Sequence, residues 1–228
     1  MPTPRRKSTK PVPPVLSTRA PEPIESTHAR ILDAAGSVFA EKGFRESTVR
    51  AICERAGVNI AAINYHFRTK EALHEACMVE AHRFANERYP IRAGVTVRST
   101  PEQRLTAIVR SFVLKVMDAD RPSWHGRLMA REMIEPTGAL DIVVEKNIRP
   151  SFDYLIDVLA ELAPELSPSQ RRMAAASVVG QCMHYFWCKE VACRLGDNFD
   201  DAKDWTETLT RHIVRFTLGG LPAIAKPE

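Results

Sequence analysis

STVRAICERAGVNIAAINYHFRTK, Ser47 to Lys70, reads as two short helices joined by a tight turn. In the first, Val49, Ile52, Cys53 and Ala56 fall at i, i+3, i+4 and i+7, one apolar face of a 3.6-residue period. Ser47 stands where an N-cap is expected, since its hydroxyl can accept from the unpaired amides of an opening turn. Gly57 most readily takes the left-handed conformation after a last helical turn, so the helix stops there, and Asn59 caps a second helix running to about Phe67. Val58, Ile63 and Phe67 can face inward, which leaves Asn59, Ile60, Ala61, Ala62, Asn64, Tyr65 and His66 outside. Small, hydrogen-bonding side chains on a protruding face suit a helix that enters the major groove, where bulky charged ones would hold the backbone away from the base edges. The stretch is expected to be a helix-turn-helix.

Upstream, the spacing predicts a helix over Thr27 to Lys42 with Ile31, Ala35, Val38 and Phe39 inward, ended by Gly43, with Phe44 plugging a small three-helix core. Downstream, Lys70 opens a long helix to about Tyr89 that bridges this unit and the rest, and is the expected lever between them.

From about His28 to Leu73 the chain resembles the DNA-binding domain of the TetR/AcrR family of bacterial transcriptional regulators. AEKGF (Ala40 to Phe44), STVRAICERAGV (Ser47 to Val58) and NYHFRTKEAL (Asn64 to Leu73) carry the resemblance, in order and at the right spacing. The family most often has a phosphate-touching tyrosine where this chain has Asn64, so the contact is expected from Tyr65 or His66. The segment Arg127 to Asp141, RLMAREMIEPTGALD, and NIAAINYHF resemble the CecR-like subgroup. The resemblance implies that Ser47, Thr48 and Lys70 hold phosphates and that the two C-terminal helices form a four-helix dimer interface. It implies too that a small-molecule effector in a C-terminal pocket weakens DNA binding.

The chain has 228 residues, 44% hydrophobic and 26% charged, an ordinary globular composition with room for one or two domains. Net charge is +4, unevenly placed: residues 1–70 hold 12 Lys or Arg against 6 Asp or Glu, and the remainder 20 against 22. Basic excess on the part expected to meet DNA is the footprint of a binder. No apolar run approaches the roughly 20 residues a membrane span needs, and the basic start lacks an apolar h-region, so a cytoplasmic location is expected. Residues 1–24 carry seven prolines and five basic residues with almost nothing to bury, so a disordered arm is expected, either touching phosphates and the minor groove or simply solvated. The cysteines Cys53, Cys77, Cys182, Cys188 and Cys193 form no C-x-x-C pair and are expected to be small buried hydrophobes.

The rest reads as helical throughout. A loop over 90–100 precedes a helix from Pro101 to about Met117, and Ser123 to Glu135 forms another. A long helical stretch after Pro136 runs to about Leu162, kinked at Pro150, followed by one helix from Ser169 to about Leu195 and a last from Ala202 to Leu218. Small residues (Ala174, Ala175, Ser177, Gly180) permit close helix approach at a dimer seam, while Val178, Met183, Phe186 and Trp187 suit either core or interface. The expected architecture is all-α. A disordered arm (1–24) precedes a three-helix helix-turn-helix domain (25–72) and a larger helical effector-binding and dimerisation domain (73–228).

Pocket candidates are Trp124, His125, Arg131, Glu132, His184, Tyr185 and Cys188: the arginine suits a carboxylate or phosphate, and the aromatics an apolar ring. Each also has an ordinary structural explanation, Arg131 as an ion pair with Glu132 or Glu135 and Trp124 as core. His184 and Cys188 share a helix face at i and i+4, but no further ligand completes a metal set, so no metal or cofactor is expected. No G-x-S-x-G and no Gly-rich phosphate loop occur, which argues against a helical enzyme. The expected partners are a double-stranded inverted-repeat operator, a second copy of the chain and an effector. An activator or effector-independent regulator fits the same residues as well as a repressor does.

Overall fold

The computed structural model describes residues 26–118, 122–196 and 202–225, and the N-terminal arm lies outside them. Among the described residues every regular element is helical. The order is α1 (Thr27–Glu46), α2 (Val49–Ala56), α3 (Ile60–Phe67), α4 (Lys70–Arg88), α5 (Pro101–Met117), α6 (Ser123–Ile134) and α7 (Gly138–Val143). A π-helical turn (Val144–Ile148) leads into α8 (Arg149–Leu162), then α9 (Pro168–Trp187), α10 (Lys189–Arg194) and α11 (Ala202–Ile224).

Local chemistry accounts for most boundaries. Thr100 and Ser167 each make a reciprocal capping box, with Gln103 and Gln170 respectively, and Pro101 and Pro168 follow where a missing N–H costs nothing. Gly43 interrupts α1 as expected, at φ 80° and ψ 167°, but the chain resumes helical turns to Glu46. Pro150 has no N–H for the carbonyl of Lys146, and the π turn lies at that place, with the Arg149 amide donating to the Val144 carbonyl five residues back.

Two sequence expectations are corrected. The helix expected to run unbroken to Leu195 breaks at Cys188 (φ −106°, ψ 14°), where neither Gly nor Pro gives warning. The last helix does not stop at Leu218 but runs through Gly219, Gly220 and Pro222 to Ile224, held by Leu221 in the core and by the Gln170 side-chain amide donating to the Ile224 carbonyl. Among the cysteines, Cys77 and Cys182 are buried as expected, while Cys193 is exposed.

Two cores form. One joins α1 to α4 with residues of α6 and α7: Ile31, Phe39, Ile52, Ile63, Leu73 and Met78 pack with Trp124, Leu128 and Val143. The other joins α5, α8, α9 and α11 through Leu105, Ile108, Leu155, Leu159, Val178 and Ile213. Packing therefore does not divide at residue 72: α4, α6 and α7 belong with the helix-turn-helix.

Candidate functional site

The turn between α2 and α3 is built as a rigid corner. Gly57 is left-handed (φ 63°, ψ 38°) and ends α2, and Asn59 caps α3 by accepting from the Ala62 amide at 2.9 Å. Arg30 on α1 donates to the Ala56 carbonyl at 2.6 Å, and Arg55 pairs with Glu41 through two hydrogen bonds of 2.9 and 3.0 Å, so α1 grips α2 at two points. Ile63 and Phe67 bury the inner face of α3. Its outer face leaves Asn59, Ile60, Ala61, Asn64, Tyr65 and His66 exposed, with Tyr65 at 85% and Ile60 at 58%, while Ala62 is half-buried. His28 from the start of α1 packs its ring 5.7 Å from that of His66.

α3 ends in strain. Arg68 holds φ 65° and ψ −53°, and the Thr69 amide donates to the Phe67 carbonyl at 2.7 Å, a γ-turn with positive φ that side-chain-bearing residues rarely adopt. Thr69 then caps α4.

The N-cap assignment is corrected, and two expected phosphate contacts, Ser47 and Lys70, have partners within the protein. Thr48, not Ser47, is the N-cap of α2, its hydroxyl accepting from the Ala51 amide at 3.2 Å. Ser47 is buried, and its hydroxyl turns inward to the carbonyls of Gly43 and Val38. Lys70 begins α4 but reaches back across the end of α1. Its ammonium donates to the Phe44 and Ser47 carbonyls at 2.9 and 3.1 Å and lies 4.3 Å from the Phe44 ring centre. A cation at the carbonyl end of a neighbouring helix is favourable, so no anion is needed to explain it. Thr48 alone of the three is exposed.

A cavity of about 220 Å³ lies at the seam between the two cores. α4 contributes His82, Phe84 and Asn86, α5 Phe112 and Lys115, and α6 His125 and Met129; the π turn, α8 and α9 close it. Of the seven pocket candidates only His125 lines it. Trp124, on the preceding residue, faces away: it is buried against α1, its indole N–H donating to Asp33 Oδ1 at 2.8 Å. Arg131 donates to the Glu41 carbonyl at 3.2 Å, and Glu132 is buried beside His74 and accepts from the Thr137 amide and hydroxyl, both at 2.7 Å. His184 is exposed, Tyr185 packs edge-on to Trp205, and Cys188 marks the helix break.

Sequence reading missed His82, Asn86, Lys115 and Asn147. Burial depresses Lys115 to about 8 and His82 to about 4, because desolvation disfavours the charged form. The Lys115 ammonium donates to Asn86 Oδ1 at 2.7 Å, tying α5 to α4. His82 Nε2 and Asn147 Oδ1 are shielded from solvent with no hydrogen-bond partner. Among the described residues no three His, Cys, Asp or Glu side chains gather to hold a metal.

Residues 31–77 match the model of the tetR family of bacterial regulatory proteins, and residues 101–221 match the C-terminal domain of the HTH-type transcriptional dual regulator CecR. The chain belongs to the TetR family. It is a DNA-binding transcriptional regulator with a CecR-type C-terminal domain, and not an enzyme. It is 28% identical to CecR of Shigella flexneri over 83% of this chain and 90% of that one, and 27% identical to the regulator BetI of Cronobacter sakazakii over 87% and 94%. Among solved structures it resembles a TetR-family regulator from Rhodococcus RHA1 (TM-score 0.62, 21% identity, 86% of this chain and 97% of that one). It also resembles AibR, solved with isovaleryl coenzyme A and operator DNA (TM-score 0.60, 18% identity, 84% and 97%). Among the described residues no helix of this TetR-family chain is long and apolar enough to cross a membrane.

Proposed function

We propose that this regulator acts in the cytoplasm as a homodimeric repressor, bound to an inverted-repeat operator and released by a small-molecule effector. The observation that carries this reading is the outer face of α3, which protrudes from a braced corner with small and hydrogen-bonding side chains. Asn59, Ile60, Ala61, Ala62, Asn64, Tyr65 and His66 meet base edges and backbone, and Thr48 meets a phosphate. Asn59 does so with its NH₂ group, its oxygen being held by the cap.

Dimerisation through α9 and α11 is supported by a strip along α9. Met173, Ala176, Ser177, Gly180, His184 and Trp187 are all exposed, with Phe216 and Ile224 exposed on α11 beside it. Pairing sets two recognition helices about 34–36 Å apart, one turn of DNA. The cavity at the seam supports the effector: a ligand there touches both cores, and it shifts the equilibrium by its difference in affinity between DNA-competent and DNA-incompetent states. AibR, of similar fold, was solved with both kinds of partner.

Selection of bound duplexes from random DNA at near-physiological salt tests the first part. Enrichment of an inverted repeat is expected, and enrichment of none would overturn the groove-reading role of α3. A second reading, regulation in both directions, is favoured by the description of the Shigella relative as a dual regulator. Reporter expression in a deletion strain separates the two readings by sign.

A further inference from the structure

Two polar atoms in the walls of the seam cavity have no partner within the protein. His82 Nε2 on α4 and Asn147 Oδ1 in the π turn are both shielded from solvent, and neither makes a hydrogen bond. Buried polar atoms of this kind are uncommon, because each loses its water without gaining a replacement. The charged groups of the same lining are differently placed. Lys115 donates to Asn86 Oδ1 at 2.7 Å, the Asp118 carboxylate faces Arg88 at 3.4 Å, and these groups make further contacts besides. A molecule with a net charge therefore finds its natural partners taken, and its desolvation against Phe84, Phe112, Met129 and Phe152 is costly. The unmet demand in these walls is for hydrogen bonds rather than for charge.

Burial, with the Lys115 charge adding to it, pushes His82 down to about 4, so at neutral pH its imidazole is uncharged. Nε2 then donates or accepts according to which ring nitrogen holds the proton, while Asn147 Oδ1 only accepts. A hydroxyl serves both, being donor and acceptor at once, whereas a carboxylate or an ether has nothing to donate to Asn147. Three phenylalanine rings and a methionine thioether suit an aromatic body. At about 220 Å³ the space lies at the small end of ligand pockets, which run roughly 300–1,000 Å³, so that body is compact.

We propose that the cavity takes a compact uncharged alcohol or phenol, whose hydroxyl group or groups bond to His82 Nε2 and Asn147 Oδ1 while its apolar body packs against Phe84, Phe112 and Phe152. The inference rests on the effector reading above and specifies its ligand class. Such a molecule joins α4, which continues into the helix-turn-helix core, to the π turn.

Calorimetric titration of the full-length protein at pH 7 tests this with two pairs, 4-cresol beside p-xylene and 2-phenylethanol beside propylbenzene, and with phenylacetate as an ionised counterpart. In each pair a methyl group replaces the hydroxyl at similar volume. At least one hydroxyl compound is expected to bind tenfold or more tightly than its methyl isostere, since a site with polar atoms to satisfy rejects the analogue that leaves them unpaired. The double variant His82→Leu, Asn147→Leu is expected to remove that preference. Isosteres binding as well as the hydroxyl compounds, a preference that survives the double variant, phenylacetate binding more tightly than 2-phenylethanol, or no hydroxyl compound binding would each overturn the assignment. Should the double variant not fold, the comparison of each pair on the unaltered chain still decides. Release is scored separately, on the duplex obtained by selection. A hydroxyl compound that binds with the expected preference yet leaves operator affinity unchanged supports the ligand class and overturns the effector reading.

Discussion

Trp124 rests against Gly36 so closely that a Cβ on Gly36 would lie 2.4 Å from the indole Cε3. The missing side chain is a notch in α1 that receives the ring from α6, and the Asp33 hydrogen bond fixes its orientation. The DNA-reading unit and the cavity wall are thereby joined through two consecutive residues, Trp124 toward α1 and His125 toward the cavity.

Gly36→Ala is expected to destabilise the protein by about 1–3 kcal/mol through overpacking, even though alanine is the better helix former by roughly 1 kcal/mol. Thermal melting checks the sign. A raised melting temperature would mean that α1 and α6 part easily and that the notch has no structural role.

Lys70→Met separates an anchor from a phosphate contact. Loss of the two carbonyl hydrogen bonds at the end of α1 should lower stability by about 1–2 kcal/mol. The slope of log affinity against log salt should stay the same, whereas a lost phosphate contact would reduce it by about 0.9. Ser47→Ala should follow the same pattern, since its hydroxyl also points inward.

Tyr65→Ala should do the reverse. A side chain 85% exposed contributes little to folding, so stability should change by no more than about 0.5 kcal/mol while operator affinity falls at least tenfold. Asn64→Ala is expected to relax specificity at one position in each half-site, read by repeating the duplex selection. Parallel losses of stability and binding would show that these residues hold α3 in place rather than read DNA.

His82 makes stability sensitive to acid. Its folded pKa, about 4, lies below the ordinary 6.5, so between those values the unfolded chain binds more protons than the folded one. Stability is therefore complete above pH 6.5 and falls as pH drops toward 4, by roughly 3 kcal/mol. Burial lowers His74 as well, against the raising influence of Glu132, and it adds a loss of the same sign. Urea unfolding of His82→Leu across this range should show a flatter profile and, because an unpartnered polar atom has been removed, a higher midpoint at pH 7. An unaltered profile would mean that His82 is open to solvent.

The helix-turn-helix was legible because its determinants are local: an apolar period, a left-handed glycine, a capping asparagine. The misplacement of Ser47 has a local cause too. Ser47 and Thr48 are both plausible caps, and the backbone break at Gly43 that carries Ser47 inward lies outside the motif. The cavity was illegible as a whole because six elements far apart in sequence build its walls. Its polar members nevertheless left a trace. Lys115 falls seven residues after Ile108, and His82 four after Met78, so each interrupts an otherwise apolar helix face. Trp124 and His125 are both pocket candidates from the sequence, yet consecutive residues on a helix point about 100° apart, and only His125 reaches the cavity.

The π turn between α7 and α8 holds one residue more than an α-helix of the same rise would, and it sits in the cavity wall with Asn147 and Ile148. Deleting a single residue there would restore α-helical winding while leaving the flanking helices in register. Only the side chains of the turn itself would then be re-aimed at the cavity, with the outer helices scarcely displaced. The lining of this cavity is therefore adjustable by the length of the chain as well as by its composition, and one codon lost or gained at this position would suffice to change it.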